Sequence, residues 1–348
     1  MRVMNAIATL LAMLPFLFAI FLANVAEKER GVRTLVYLYL LLLNGLAAVT
    51  GLFSLAGAEL LSSEVFLNAI QQQYPGVEVS QLRAVRFDLA GLILACAALL
   101  AVIVLLLPVR RLAARILPMQ ADSVVHATAL SLTATALGIN LFQMVALAPL
   151  LFAVTATEQG VQRIQQMGGV SYLDVLVFPL LTFVVAGLLG VGLYTRRSQP
   201  EALARLGLAP LTLQALGIAA GFTVALLGMA ILTERAWQSF DPDSLEKVGG
   251  LSKALMGNFT GLSGALAIGV AAAIGEETFF RGAYQPRMGI PLTSLLFTSF
   301  HVQYGITPAT LLVLVMSVVL GLLRQRTSLT VCILVHFLYN FATVLVAT

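Results

Sequence analysis

The sequence predicts an all-α, polytopic membrane protein, a bundle of about ten transmembrane helices. Of its 348 residues 59% are hydrophobic and only 10% are charged, whereas about a quarter of the residues of a soluble protein are charged. The mean hydropathy is +0.96. The apolar residues also occur in runs close to the roughly 20 residues that cross a bilayer as a helix. Composition and run length together exclude an ordinary soluble domain.

Ten apolar segments follow one another along the chain. They cover residues 3–24, 34–58, 89–108, 124–150, 175–195, 212–232, 257–280, 288–304, 308–323 and 328–347. The first follows Met1-Arg2 in the manner of a signal peptide, but it is long enough to span and no small-residue cleavage site follows it. We therefore expect a retained first helix. The fourth segment is longer than a span requires, and the eighth is the least apolar.

The longest connections are residues 61–88, 155–173 and 233–253. Within the first, Phe66 and Ile70 have helical spacing, which predicts a short amphipathic piece at the membrane surface. The polar stretch from Arg196 to Pro210 is the best internal boundary. It divides an N-terminal multi-helix extension of unknown role, residues 1–200, from a C-terminal core, residues 201–348.

Charge and cysteine usage indicate topology rather than a binding partner. The net charge of +4 is spread over basic residues that occur singly and in pairs between apolar runs, a pattern that does not indicate nucleic acid. Connections after the odd-numbered segments hold 13 Lys and Arg, and the remaining polar regions hold 7. The positive-inside rule then places both termini outside. We expect a plasma (inner) membrane location. Cys96 and Cys332 lie within apolar segments, so neither a disulfide framework nor a cysteine metal site is expected.

Ionisable residues interrupt the end of the seventh segment, in the stretch 275–282. Such residues inside a membrane segment indicate a functional site. Glu277 and Arg281 are four residues apart with the acid first, the favourable order for an ion pair on one helix face. Glu276 lies about 100° round the helix from Glu277, so its carboxylate points elsewhere.

Two of the three histidines lie in later segments. They occur in the patterns Phe297-x-x-x-His301 and His336-x-x-x-Asn340, and the second spacing puts the imidazole and the amide on one helix face. On the predicted topology both histidines lie roughly 12–20 Å from the inner ends of their helices, at about 1.5 Å per residue. We therefore expect a polar site in the cytoplasmic half of the membrane.

These three motifs, in this order on successive hydrophobic segments, resemble the CPBP family of CAAX-prenyl endopeptidases and bacteriocin-immunity proteins. The stretch 321–329 is also similar to the family's approach to its last motif, and the resemblance covers about Leu206 to Val346. It implies an intramembrane endopeptidase that acts on a membrane-embedded or lipid-anchored peptide or protein. By this resemblance Glu276 and His301 would activate water. His336 and Asn340 would hold the oxyanion. Glu277, Arg281 and Phe297 would support them.

Other interpretations stay open. Glu277 and Arg281 can form a purely structural ion pair, and the histidines and Asn340 can be interhelical hydrogen-bond partners. A zinc site with the ligands Glu276, His301 and His336 is the alternative to a metal-free mechanism, but the chain has no His-Glu-x-x-His motif, and we expect no cofactor. A non-catalytic scaffold or immunity-type protein is a second functional class. A proton-coupled transporter is a third, disfavoured because no inverted repeat is found. The sequence carries no signal for an oligomeric state.

Overall fold

The computed structural model describes residues 2–74, 77, 79–83, 85–166 and 169–346, and within them the all-α prediction is confirmed. The described residues contain no β-strand beyond one isolated bridge between Leu193 and Arg197. The α-helices, in chain order, are α1 (Arg2–Ala26), α2 (Val32–Ala56), α3 (Ala58–Leu61), α4 (Glu64–Gln73), α5 (Val79–Arg83), α6 (Phe87–Ile103), α7 (Leu107–Ala113), α8 (Val124–Phe142), α9 (Ala148–Thr155), α10 (Glu158–Gln166), α11 (Tyr172–Val175), α12 (Phe183–Gly190), α13 (Gln199–Leu206), α14 (Leu213–Phe240), α15 (Pro242–Met256), α16 (Gly261–Glu277), α17 (Gln285–Ser299), α18 (Pro308–Arg326) and α19 (Leu329–Val346).

Nine helical stretches in the described part of the chain are long and apolar enough to cross a membrane. They make the chain a multi-pass integral membrane protein. The longest, Gly261–Ser299, has 39 residues and covers most of the seventh and the eighth predicted segments. Several stretches are composite, because short helices follow one another without a break.

The 39-residue stretch is bent back on itself at Gly289. This residue has φ 75° and ψ 168°, a backbone conformation that glycine adopts without a steric penalty. Phe280 and Phe297 lie on opposite sides of it in the chain, yet their ring centroids are 5.1 Å apart. In a straight helix seventeen residues would separate them by about 25 Å. The stretch is therefore two arms, which reconciles nine helices with ten predicted segments.

Among the described residues, three π-helical stretches interrupt the membrane helices: Gln143–Leu147, Leu176–Thr182 and Thr278–Tyr284. Each contains or closely precedes a proline, and a proline inside a helix removes one hydrogen bond and crowds the preceding turn. The wider turn of a π-helix accommodates that crowding, and such turns are frequent at functional sites. The third stretch begins directly after Glu277 and holds Arg281.

The described parts of the long connections are largely helical, which the sequence analysis did not predict for residues 233–253. There α14 continues to Phe240, and the Asp241 side chain accepts a hydrogen bond from the Ser244 backbone N–H at 3.2 Å. Pro242 takes the first position of α15, where its missing N–H is not needed. The amphipathic piece predicted around Phe66 is present as α4, with Leu67 buried.

Small residues let α16 approach its neighbours closely. A Cβ atom on Gly269 would lie 3.1 Å from the Phe337 ring of α19. One on Gly275 would lie 1.6 Å from the carbonyl oxygen of Pro179, so the backbones of two membrane segments touch there. Phe183 of α12 also packs on Phe280, with ring centroids 5.4 Å apart. The N-terminal part of the chain thus contacts the C-terminal part, and the division at residue 200 stays a prediction.

Candidate active site

An ion pair between Glu277 and Arg281 lies at the end of α16, where both side chains are 0% exposed. Arg281 Nη1 is 3.2 Å from Glu277 Oε1, an ionic contact rather than an aligned hydrogen bond. Arg281 Nη2 donates to the Ser317 hydroxyl of α18 at 3.0 Å. Taking two charges out of water is costly unless they are paired and hydrogen-bonded. The predicted pair is therefore formed, and it also holds α18 in place.

His336 of α19 approaches the same carboxylate. Its Nδ1 atom is 2.9 Å from Glu277 Oε1, and both side chains are buried. With Glu277 ionised beside Arg281, Nδ1 carries the proton and donates it, which leaves Nε2 free on the other side of the ring. The sequence analysis did not predict this contact. It joins the first and last motifs directly.

Phe297 packs in the middle of the cluster. Its ring centroid is 4.3 Å from the guanidinium carbon of Arg281, a cation–π contact. The same ring lies 5.0 Å from the His301 ring and 6.1 Å from the His336 ring, between centroids. Phe297 therefore orients the arginine and contacts both imidazoles.

His301 follows the end of α17 and has a defined ring orientation. Its Nδ1 atom is 3.1 Å from the Phe297 carbonyl oxygen, and its ring stacks on that of Tyr304 with centroids 6.0 Å apart. A carbonyl oxygen only accepts hydrogen bonds, so Nδ1 carries the proton in the neutral ring. The Nε2 atom is then a hydrogen-bond acceptor.

Glu276 and Asn340 flank the cluster without joining it. Glu276 Oε2 is buried and accepts no hydrogen bond from any residue that the structure describes. Leaving a buried acceptor unpartnered costs about 1–3 kcal/mol, so this oxygen is suited to a donor supplied from outside the protein. Asn340 lies one turn beyond His336 on α19 and is half-buried.

The structure thus brings together four of the seven predicted residues in direct contact: Glu277, Arg281, Phe297 and His336. His301 joins them through Phe297. Within the described ranges, no three His, Cys, Asp or Glu side chains are grouped so that they could hold a metal ion. The zinc alternative gains no support from geometry, and metal independence stays a prediction.

Sequence reasoning missed two residues of the site, Ser317 and Tyr304. Ser317 is a buried hydroxyl within the apolar α18, and a polar residue in a membrane helix commonly makes an interhelical hydrogen bond. That signal was available. Tyr304 belongs to a short 3₁₀ turn, Val302–Tyr304, and nothing in the sequence placed its ring beside His301.

Residues 258–342 match the family model described as type II CAAX prenyl endopeptidase Rce1-like. The matched range contains all seven candidate residues, and the resemblance drawn from the motifs is confirmed over it. No curated protein and no solved structure matches the chain.

Proposed function

We propose that the protein is an intramembrane endopeptidase that hydrolyses peptide bonds of membrane-embedded or lipid-anchored substrates without a cofactor. One observation carries the proposal. Inside the segment that matches a prenyl endopeptidase model, the unpartnered Glu276 carboxylate adjoins a buried cluster of Glu277, Arg281 and His336. A buried carboxylate near a neutral imidazole is suited to general base catalysis on water.

The first step is activation of water by Glu276 and His301. The water donates one hydrogen bond to the Glu276 carboxylate and the other to His301 Nε2, the acceptor atom left by the contact with Phe297. Glu276 takes a proton while the water oxygen attacks the carbonyl carbon of the scissile peptide. The product of this step is a tetrahedral intermediate with a negative oxygen.

The second role belongs to His336 and Asn340, which donate to that oxygen. Because His336 Nδ1 is engaged with Glu277, donation from Nε2 requires a proton on both ring nitrogens. The Asn340 side-chain amide supplies the second donor. Donors fixed in advance stabilise the charge that develops in the transition state. Glu276 then returns its proton to the leaving nitrogen and the C–N bond breaks, giving a carboxylic acid and an amine; the acid passes its proton to the amine or to solvent as the products leave.

Glu277, Arg281 and Phe297 act as positioning residues in this mechanism. Arg281 neutralises Glu277 and is itself held by Ser317 and by the Phe297 ring. Because all of these groups are buried, the removal of one leaves another without its partner. Their proposed task is to fix the His336 ring.

For the orientation we propose a plasma (inner) membrane location, both termini outside and the site in the cytoplasmic half. Basic residues from alternate connections support it, since they gather at one end of the bundle. Arg205 Nη1 donates to the Gly282 carbonyl oxygen at 3.4 Å, and Arg324 Nη2 donates to that of Leu206 at 3.1 Å. Labelling of an Arg287→Cys variant in intact cells tests the orientation, because reactivity from the external side alone contradicts it.

The activity is tested by comparing the proteomes of membranes that contain the wild type or the Glu276→Gln variant. We expect full-length substrates to accumulate and new termini to disappear in the variant. A Gly228→Ala variant, altered at a glycine with open space around it, is the matched control. Identical termini in wild type and Glu276→Gln, at equal protein levels, would favour the non-catalytic scaffold.

A further inference from the structure

A large cavity lies beside the candidate active site but is lined by other residues. Its volume is about 780 Å³, within the range of about 300–1,000 Å³ usual for small-molecule sites. It lies between α1, α8 and α12 on one side and the arms around Gly289 on the other. Glu276, Glu277, His301 and His336 are not among its lining residues. The proposed peptidase mechanism therefore leaves this cavity without a role.

The cavity is long, and most of its wall is apolar. On α1 and at the residue that follows it, lining residues recur every three or four positions from Ala12 to Glu27, a distance of about 22 Å at the helical rise. This exceeds half of the roughly 30 Å hydrocarbon thickness of a bilayer. Phe16, Ile20 and Phe183 are among the apolar side chains that face it. Such a channel is suited to a hydrocarbon chain.

One end of the cavity is strongly cationic. Arg196, Arg197, Arg205 and Arg287 line it, and none of them forms a salt bridge with a described carboxylate. Burial, and next the charges of Arg287 and Arg197, lower the pKa of Arg205 to about 10. The four guanidinium groups come from two separate connections and repel one another. An anion bound among them would relieve that repulsion.

The single carboxylate that lines this end, within the described residues, is engaged elsewhere. Glu27 Oε1 accepts hydrogen bonds from the Ser123 hydroxyl and from the Val125 backbone N–H, the latter at 3.1 Å. These contacts are at the N-terminus of α8, where a negative charge is favourable. Burial raises the pKa of Glu27, but these hydrogen bonds and the nearby Arg196 lower it more, so the carboxylate stays ionised. It satisfies the helix end and does not pair with the arginines, three of which donate one hydrogen bond each to an uncharged protein oxygen, so their charges stay uncompensated.

We infer that this cavity binds an anionic membrane phospholipid, with its phosphate among Arg196, Arg197, Arg205 and Arg287 and one hydrocarbon chain along α1. Arginine is the side chain best suited to phosphate, because its planar fork donates two parallel hydrogen bonds. Anionic lipids are concentrated in the cytoplasmic leaflet, the side to which the basic connections are assigned. A free phosphate would use the cationic end but not the apolar channel. The inference does not depend on the proposed peptidase activity.

The experiment measures ligand binding to the full chain purified in neutral detergent. Phosphatidylglycerol, phosphatidylcholine with the same chains, and inorganic phosphate are titrated separately, with thermal unfolding as the readout. We expect phosphatidylglycerol to raise Tm in a saturable manner and the other two to have little effect. A charge-assisted hydrogen bond contributes about 1.5–3 kcal/mol, so removal of two arginines should raise the Kd for phosphatidylglycerol at least tenfold.

Two variants and one control separate the parts of the proposal. Arg205→Gln with Arg287→Gln removes cationic groups, and Ala136→Phe fills the apolar channel with a ring. Arg30→Gln with Arg111→Gln removes the same charge from exposed positions that do not line the cavity and should bind as the wild type does. Binding by the cavity variants equal to that control would overturn the proposal. Equal binding of phosphatidylcholine, whose headgroup is zwitterionic, would contradict a site selective for an anionic headgroup. Strong binding of inorganic phosphate with no gain from the lipid would contradict the site for the hydrocarbon chain.

Discussion

The Nδ1 atom of His301 lies 3.1 Å from the carbonyl oxygen of Phe297, one helical turn earlier in the chain. This contact decides which ring nitrogen carries the proton and directs Nε2 away from α17 as an acceptor. The same phenylalanine touches Arg281 through its ring. One residue therefore sets the tautomer of one imidazole with its backbone and positions the ion pair with its side chain.

The first prediction concerns His301 as the partner of the attacking water. In His301→Ala we expect kcat to fall about 10²- to 10⁴-fold, the usual contribution of a general acid–base group, while the protein stays folded. Peptide cleavage by purified protein is the measurement. His126→Ala is the control, since this third histidine accepts a hydrogen bond from the Gln120 backbone N–H, far from the cluster in sequence. An equal loss of activity in both variants would show a general effect of losing a buried imidazole.

The second prediction separates the two adjacent acids. Glu276→Gln should reduce kcat by at least about 10²-fold and leave the unfolding temperature near that of the wild type, because no described residue depends on Glu276 Oε2. Glu277→Gln should lower the free energy of unfolding by about 3–5 kcal/mol, because it leaves the buried charge of Arg281 without its partner. Unfolding in detergent and cleavage assays on both variants provide the comparison. A stable but inactive Glu277→Gln beside a fully active Glu276→Gln would exchange the two roles.

The third prediction tests Asn340 as an oxyanion donor. Loss of one such donor typically costs about 10²–10³ in kcat, roughly 2.7–4 kcal/mol, and Asn340→Ala should fall in that range. KM should change little, because the donor acts mainly in the transition state. Steady-state kinetics of the folded variant measure both constants. A large rise in KM with unchanged kcat would assign Asn340 to substrate binding instead.

The fourth prediction concerns metal. The proposed mechanism places all charge stabilisation on protein groups, so a strong chelator should leave the activity of the purified protein unchanged. Metal content is measured on the same sample. One zinc ion per chain, with activity lost on its removal and restored on its return, would establish the alternative ligands Glu276, His301 and His336.

The fifth prediction concerns the close contact beside the acids. An added Cβ atom on Gly275 would lie 1.6 Å from the Pro179 carbonyl oxygen, so Gly275→Ala must move one backbone. We expect a loss of about 1–3 kcal/mol in the free energy of unfolding, as for other overpacked interiors. Gly228→Ala in α14 has open space around it and should be neutral or slightly stabilising, by up to about 1 kcal/mol. Equal stability of the two variants would mean that α16 and the Pro179 segment separate without cost.

Sequence patterns predicted the fold class and most of the membrane helices, because long apolar runs have few other stable forms in a bilayer. They also predicted the Glu277–Arg281 pair, since that contact is local and follows from helix periodicity. The helical nature of residues 242–256 was missed, because a polar, glycine-containing stretch resembles a loop until Asp241 is identified as its cap.

Contacts between distant segments could not be predicted from the sequence. The hydrogen bond from His336 to Glu277 joins residues 59 positions apart, and helix spacing gives no information on which of two adjacent carboxylates a remote imidazole will meet. A reversal between the segments 257–280 and 288–304 was predicted, but its position at Gly289 was not, because a glycine within an apolar stretch is also compatible with a straight helix. The arginine cluster was visible only as a topology signal, because its members come from separate connections.

The reversal at Gly289 also bears on how the chain enters the membrane during its synthesis. The arm beyond it contains about ten helical residues, fewer than the roughly 17–25 that insert as an independent transmembrane helix. Its buried side chains include Thr293, Ser294, Thr298 and Ser299, which add polarity rather than apolar length. Hydropathy alone therefore does not drive its insertion. We expect the arm to enter together with α16 as a helical hairpin or to be drawn in later by α18, so that assembly of the His301 half of the site depends on these neighbours.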